Sequence, residues 1–136
     1  MYDLNLTLSH VPAQPDMKVR EITIGALLRE KAAAKPDAEA LVEIRQDGTE
    51  GRRWTYAELL KNAKRLALAL STRFAPCERL VVWSPNNPEW VLMEYACALS
   101  GLVLVTANPA FQARELAYVL EQSDAVALFL VNEFRG

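Results

Sequence analysis

The chain has 136 residues, 51% of them apolar and 24% charged, the balance of one globular domain with enough material for a core. Fifteen basic and seventeen acidic side chains leave a formal charge of -2, so there is no electrostatic case for a nucleic-acid partner. Two cysteines, Cys77 and Cys97, are too few for a metal or disulfide framework, and no basic-then-apolar signal segment opens the chain, so a cytoplasmic, reducing location is expected.

Residues 1–22 have weak periodicity and contain Pro12 and Pro15, which suits an irregular arm; residues 23–136 read as one α/β domain. Thr23 caps a helix that runs to about Ala34, with Ile24, Leu27, Leu28 and Lys31 at helical spacings, and Pro36-Asp37 ends it. Ala40 to Ile44 reads as a strand. The Asp47-Gly48 turn signal lies within 46–51, and Arg52 to Trp54 returns antiparallel as a hairpin.

Thr55 closes that hairpin and opens the next helix. Thr55 and Glu58 have capping-box spacing, so hydroxyl and carboxylate can each satisfy a free amide. Leu59, Ala63, Leu66 and Leu70 form a stripe, widened by Leu60, Ala67 and Phe74. Lys61, Asn62, Lys64, Arg65 and Ser71 face away, most simply as a solvated surface.

Leu80 to Trp83 is an almost wholly apolar run, as expected of a strand covered on both faces. Ser84 to Asn87 is turn material, Asn87 suits a helix cap, Pro88 suits the first helical position, and Glu89 favours the same start. The helix runs to about Ser100, Gly101 stops it, and Leu102 to Val105 supplies a second strand. A further helix from about Ala113 to Glu121 leads to a third strand, Ala125 to Val131. The order is β-α-β-α-β, a parallel sheet layer with right-handed crossovers, preceded by a helix and a β-hairpin. The helix after Pro88 has hardly a polar side, and the rest of the chain offers little to cover its outer face. A subunit, or further parts of a larger protein, would then complete the cover.

Val91 to Phe111 contains one charged side chain, Glu94, but Gly101, Asn108 and Pro109 divide it, so a buried helix and strand explain it better than a membrane span. Clustered glycines for a phosphate loop are missing: Gly25, Gly48, Gly51, Gly101 and Gly136 are scattered. The single histidine, His10, has no acidic or cysteine neighbour for a triad or zinc site. Glu121 and Asp124 read as solvated, Cys97 as core and Cys77 as a partly exposed free thiol. Glu94, among apolar neighbours, calls for surface exposure or an arginine partner. The residues alone therefore give no catalytic, cofactor-binding or metal-binding assignment.

In order along the chain stand Thr23-Ile24-Gly25-Ala26-Leu27-Leu28, Lys35-Pro36-Asp37-Ala38-Glu39-Ala40-Leu41, Trp54-Thr55-Tyr56-Ala57-Glu58-Leu59 and Ser84-Pro85-Asn86-Asn87-Pro88-Glu89-Trp90. Gly101, Asn108-Pro109 and Glu115-Leu116-Ala117-Tyr118-Val119-Leu120-Glu121-Gln122-Ser123 follow. Together these pieces resemble the N-terminal part of AMP-forming acyl-CoA synthetases in the adenylate-forming superfamily. Leu8-Ser9-His10 and Thr23-Ile24-Gly25 look most like the medium- and long-chain fatty-acid branch.

The resemblance implies an incomplete N-terminal portion of the family's large domain. In a complete parent it implies ATP, Mg2+ and CoA as cofactors, a fatty acid as substrate, and an acyl-adenylate on the way to the thioester. The family's phosphate loop, adenosine and ribose contacts, hinge and C-terminal lysine lie downstream of the matched region, so no catalytic residue carries over. Some relatives place an arginine after the Asn-Pro pair, near the CoA phosphate. Ala110 stands there instead, and Arg114 nearby inherits no role. Cys77-Glu78 replaces the family's usual Gly-Asp. By itself the chain is expected to bind no cofactor, to lack activity and to self-associate. The alternative is an autonomous small α/β binding or scaffolding module.

Overall fold

The computed structural model describes Thr7, residues 19–45 and residues 47–133. Most of the expected arm, residues 1–22, and with it His10, lies outside the described residues. Its last four residues are non-helical, and Arg20 pairs with Glu30 at 2.5 Å.

Helix α1 (Ile24–Ala34) starts at Thr23, whose hydroxyl accepts the Ala26 amide at 3.1 Å. Strands β1 (Glu39–Ile44) and β2 (Glu50–Thr55) pair antiparallel. Their pairing extends further than Arg52 to Trp54 because the turn is tight. The Arg45 amide donates to the Thr49 carbonyl at 2.9 Å, the Thr49 amide donates to the Asp47 carboxylate at 2.9 Å, and Gly48 takes φ +81°.

Helix α2 (Tyr56–Ser71) has the full capping box: Thr55 Oγ1 accepts the Glu58 amide at 3.2 Å, and Glu58 Oε2 accepts the Thr55 amide at 2.9 Å. The amides of Tyr56 and Ala57 donate to the carbonyls of Ala38 and Pro36, both at 3.0 Å. The loop before β1 thus fills free donors of the helix start. Leu59, Ala63, Ala67 and Leu70 are buried, Leu66 and Asn62 half-buried.

Strand β3 (Arg79–Trp83) is the centre of a parallel sheet of order β4-β3-β5, flanked by β4 (Val103–Ala107) and β5 (Ala125–Leu130). Leu80 and Val82 point into one core with Ala67 and Leu70 of α2 and Met93, Ala96 and Cys97 of α3 (Pro88–Ser100). Val81 points the other way, into a core with Ala107 and with Leu116 of α4 (Ala113–Gln122). The crossovers run in opposite directions along the sheet and put their helices on opposite faces, so both have the same hand.

Three expectations need correction. Strand β4 begins at Val103, because the Leu102 amide donates to the Cys97 carbonyl at 3.0 Å and so belongs to the helix end, where Gly101 takes φ +73°. The buried face of α1 is Gly25, Leu28 and Ala32, whereas Ile24 is 52% exposed. Helix α3 is also covered within the chain. Leu92, Tyr95 and Leu99 pack into a third core of Leu28, Trp54, Leu59 and Ala63, and Glu89 alone on α3 is exposed. Gly25 makes this approach possible: a Cβ there would stand 3.1 Å from the Ala98 carbonyl oxygen.

The hairpin is tied to α3 by an ion cluster. The Arg52 guanidinium contacts Glu43 at 2.9 Å and Glu89 at 2.6 Å and lies 5.2 Å from the centre of the Trp54 ring. Gly51 leaves room for the Glu43 carboxylate, which a Cβ would meet at 2.6 Å, so that it also accepts the Arg52 amide at 3.1 Å.

Thr55→Ala should lower stability by about 1 kcal/mol through loss of the cap. Denaturant midpoints of the two proteins measure it, and equal midpoints would mean the capping box carries no stability. A second outcome concerns acid. Side-chain and then backbone hydrogen bonds from Arg52 hold the Glu43 carboxyl down at about 2, against an ordinary 4.5. A depressed carboxyl stabilises the fold above its unfolded value, and that contribution drains away as pH falls from about 4.5 to about 2. Arg52→Gln should therefore be less stable than wild type at neutral pH, and the gap should close over that acid window. A gap independent of pH would show that the cluster contributes nothing through Glu43.

Candidate functional site

At the carboxyl ends of the three parallel strands lies a cleft of about 470 Å³. It is lined by Trp83, Ser84 and Pro85 at the end of β3, by residues 109–112 after β4, and by Leu130 and residues 131–133 at the end of β5. The loop leaving β3 leads to a helix on one face, and the loop leaving β4 to a helix on the other. Adjacent strands whose connections diverge in this way open a crevice, the usual ligand position in such sheets.

Several polar groups of the loops around the cleft bond within those loops. Asn87 Oδ1 accepts the Trp90 amide at 2.8 Å, and its Nδ2 donates to the Ser84 hydroxyl at 2.7 Å. That hydroxyl donates to the Pro85 carbonyl at 2.9 Å, which accounts for a buried serine. Across the cleft, Trp83 Nε1 donates to the Asn108 carbonyl at 3.0 Å and ties the end of β3 to that of β4. The amides of Ala110, Phe111 and Gln112 donate to the Asn108 side chain, the Asn108 carbonyl and the Glu115 carboxylate, at 2.9, 3.0 and 2.8 Å. Pro85 and Pro109 have no amide to offer.

A phosphate would need free amides or cations, and among the described residues the one acidic or basic side chain in the lining is Glu133. The cleft presents polar surface from Ser84, Gln112 and Asn132 beside aromatic and aliphatic surface from Trp83, Phe111 and Leu130.

The other singled-out residues fall elsewhere. Ala110 lines the cleft, but the exposed Arg114 does not. Glu121 and Asp124 are exposed. Glu94 is half-buried and has no ion pair among the described residues; the arginine reaching α3 goes to Glu89. Cys77 is exposed and Cys97 buried, both free, and burial pushes the Cys97 thiol up to about 11, so it stays protonated and unreactive. Burial, with Glu94 and Tyr56 nearby, raises the Tyr95 phenol. Among the described residues there is no cluster able to hold a metal, and no helix is long and apolar enough to cross a membrane. What the residue pattern did not reveal is the cleft, because its three walls are brought together only by the strand order. Asn108-Pro109 after an apolar run was the available signal.

Residues 28–135 match the family of AMP-binding enzymes, and the chain belongs to that family. Within it the similarity is to acyl-CoA ligases. Medium-chain acyl-CoA ligase ACSF2, mitochondrial, of Homo sapiens is 36% identical over 129 residues, 94% of this chain and 20% of that protein. The protein of the same name in Danio rerio is 33% identical over 132 residues, 96% of this chain and 21% of that one. Among solved structures, Mycobacterium tuberculosis fatty acyl CoA synthetase matches with a TM-score of 0.71 at 28% identity, over 79% of this chain and 21% of that chain. The N-terminal domain of FACL13 from the same organism matches with a TM-score of 0.72 at 29% identity, over 80% and 27%. The mixed α/β arrangement of hairpin and parallel sheet is thus the N-terminal fold of fatty acyl-CoA synthetases. The chain spans about a fifth of the length of the curated relatives it matches.

Proposed function

We propose that the chain is one portion of an AMP-forming fatty-acyl-CoA ligase, where it supplies scaffold and one wall of the acyl and CoA sites. The observation that supports this most is the similarity to ACSF2 along 94% of the chain. In the proposed reaction a fatty-acid carboxylate oxygen attacks the α-phosphorus of ATP and pyrophosphate leaves. The CoA thiolate then attacks the acyl carbon, and AMP carries away the bonding pair.

The residues lining the cleft do not fit the phosphates or Mg2+. The amides of Ala110, Phe111 and Gln112 are committed, and among the described residues no cation lines the cleft and no metal cluster exists. Those groups would come from the further length that the relatives possess. The part left to these residues is to help exclude water from an anhydride prone to hydrolysis, with Trp83, Phe111 and Leu130 as the apolar part of the wall.

A second reading, an autonomous binding or scaffolding module, is favoured by the enclosure of α3 within the chain's own helices. The coding sequence past codon 136 separates the two readings. A Thr/Ser/Gly-rich loop ending in Pro-Lys supports the ligase, whereas an immediate stop supports the module.

A protein carrying this chain at full length should exchange pyrophosphate into ATP only when a carboxylic acid is present, and should then form the CoA thioester. No exchange over a series of fatty and aryl acids would reject the ligase. The 136-residue chain alone should give no saturable ATP binding by calorimetry. It should also self-associate with concentration in light scattering. Among the described residues the outer strands β4 and β5 have unpaired edges, and Val103, Val126 and Leu130 are 44%, 51% and 55% exposed. A monomer at high concentration would contradict the exposed-edge argument, and micromolar ATP binding would contradict the missing phosphate site.

A further inference from the structure

We propose that the Asp47-Gly48 pair in the hairpin turn is a modification site, which closes to a succinimide and reopens as isoaspartate, and that Thr49 restrains it. The chemistry needs a side-chain carboxyl one residue before an unhindered backbone amide. The Gly48 nitrogen attacks Asp47 Cγ and a C–N bond forms. The carboxyl C–OH bond breaks, water leaves, and the amide proton passes to solvent. Water then opens the ring at either carbonyl. Opening at the former side-chain carbonyl restores aspartate, whereas opening at the main-chain carbonyl leaves the chain running through Cγ. No oxidant, cofactor or second protein enters the balance.

The turn presents both reacting groups in the open. Asp47 and Gly48 are exposed, Gly48 takes φ +81°, and a Cβ there would meet nothing within 4 Å. The same turn holds both groups back. Asp47 Oδ1 accepts the Thr49 amide at 2.9 Å and the Thr49 hydroxyl at 2.7 Å, and the Gly48 amide donates to the Arg45 carbonyl at 2.9 Å. The Thr49 side chain, and then its backbone, hold the Asp47 carboxyl below its ordinary range, so less of it carries the proton that must leave as water. An ionised carboxylate is a poor electrophile, and a bonded amide is a poor nucleophile. Conversion therefore goes through the opened turn, at the pace at which the Thr49 and Arg45 contacts release. The product fits the turn worse. It has one more main-chain carbon between Arg45 and Thr49, whose amide-to-carbonyl bond of 2.9 Å closes the hairpin.

Incubation of the 136-residue chain in heavy-oxygen water at neutral pH tests this without any ligase chemistry. Peptide mass spectrometry reads the labelled position and the share of isoaspartate. Folded wild type should convert at Asp47 more slowly than the same chain in denaturant. Thr49→Val keeps the amide contact and loses the hydroxyl one. An exposed hydrogen bond is worth about fivefold, and conversion should rise by about that factor. Thr49→Ser should keep the wild-type rate, and Asp47→Glu, whose ring would need a sixth member, should give no conversion. The converted fraction should also unfold at a lower denaturant midpoint than the unconverted one. Equal melting temperatures of wild type and Thr49→Val exclude a general loosening; if the variant melts lower, folded against denatured wild type decides instead. Absence of label at Asp47 even in denaturant would remove the site. Equal rates in the folded and denatured chain, or in a stably folded Thr49→Val and wild type, would remove the restraint.

Discussion

Burial of β3 on both faces is the constraint on which the rest depends. Leu80 and Val81 are fully buried and Val82 is 5% exposed, yet consecutive side chains of a strand point in opposite directions. Each face therefore needs its own cover, and the chain supplies α2 with α3 on one side and α4 on the other. Full burial stabilises by about 1.5–3 kcal/mol for each such side chain, so three in a row anchor the sheet. That arrangement also creates the cleft, since connections to opposite faces must part where the strands end.

Helix α2 joins this sheet to the remainder. Its second half, Ala67 and Leu70, packs on the sheet; its first half, Leu59 and Ala63, packs with α1 and the hairpin. Phe74 just beyond the helix meets Phe129 of β5 edge-to-face, with ring centroids 6.5 Å apart. The Arg52 cluster closes the remaining side by linking the hairpin to the start of α3, where a negative Glu89 already favours the helix dipole. These contacts join the hairpin and α1 to the sheet.

What could be read from the residues follows from the range of the forces involved. The β3 run, the Thr55 cap, Pro88 with Asn87, and Gly101 at a left-handed helix end are local, and each element stands where its own residues imply. The face of α1 was misjudged because Gly25 makes its contact by having no side chain, which apolar periodicity cannot register. The cover over α3 was missed for a related reason: Leu28, Trp54 and Leu99 are far apart in the chain and meet only after folding. Arg52 and Glu89 are 37 positions apart and are ordinary surface charges until the hairpin docks. The cleft was equally hidden, because its walls come from three separate loops.

The turn before β3 shows how a local departure is absorbed by such a frame. Cys77 stands where the resembled family usually has glycine, and its φ is +70°, a conformation costing a side-chain-bearing residue about 1–2 kcal/mol. The turn is held from both sides: the Cys77 amide donates to the Gly101 carbonyl at 2.8 Å, and the Ala75 amide to the Glu78 carboxylate at 2.8 Å. The Val103 amide then bonds the Glu78 carbonyl at 2.9 Å and begins the pairing of β4 with β3. A residue that opposes its own backbone angle is tolerated here because the register of two parallel strands runs through its neighbours. The same logic holds at the opposite end of the sheet, where the bond from Trp83 Nε1 to the Asn108 carbonyl spans the same two strands. With β3 and β4 pinned at both ends, the loops after them have little freedom to rearrange around a ligand. Under the proposed function that rigidity suits a wall, and it leaves the movements and charges of catalysis to groups brought in from elsewhere.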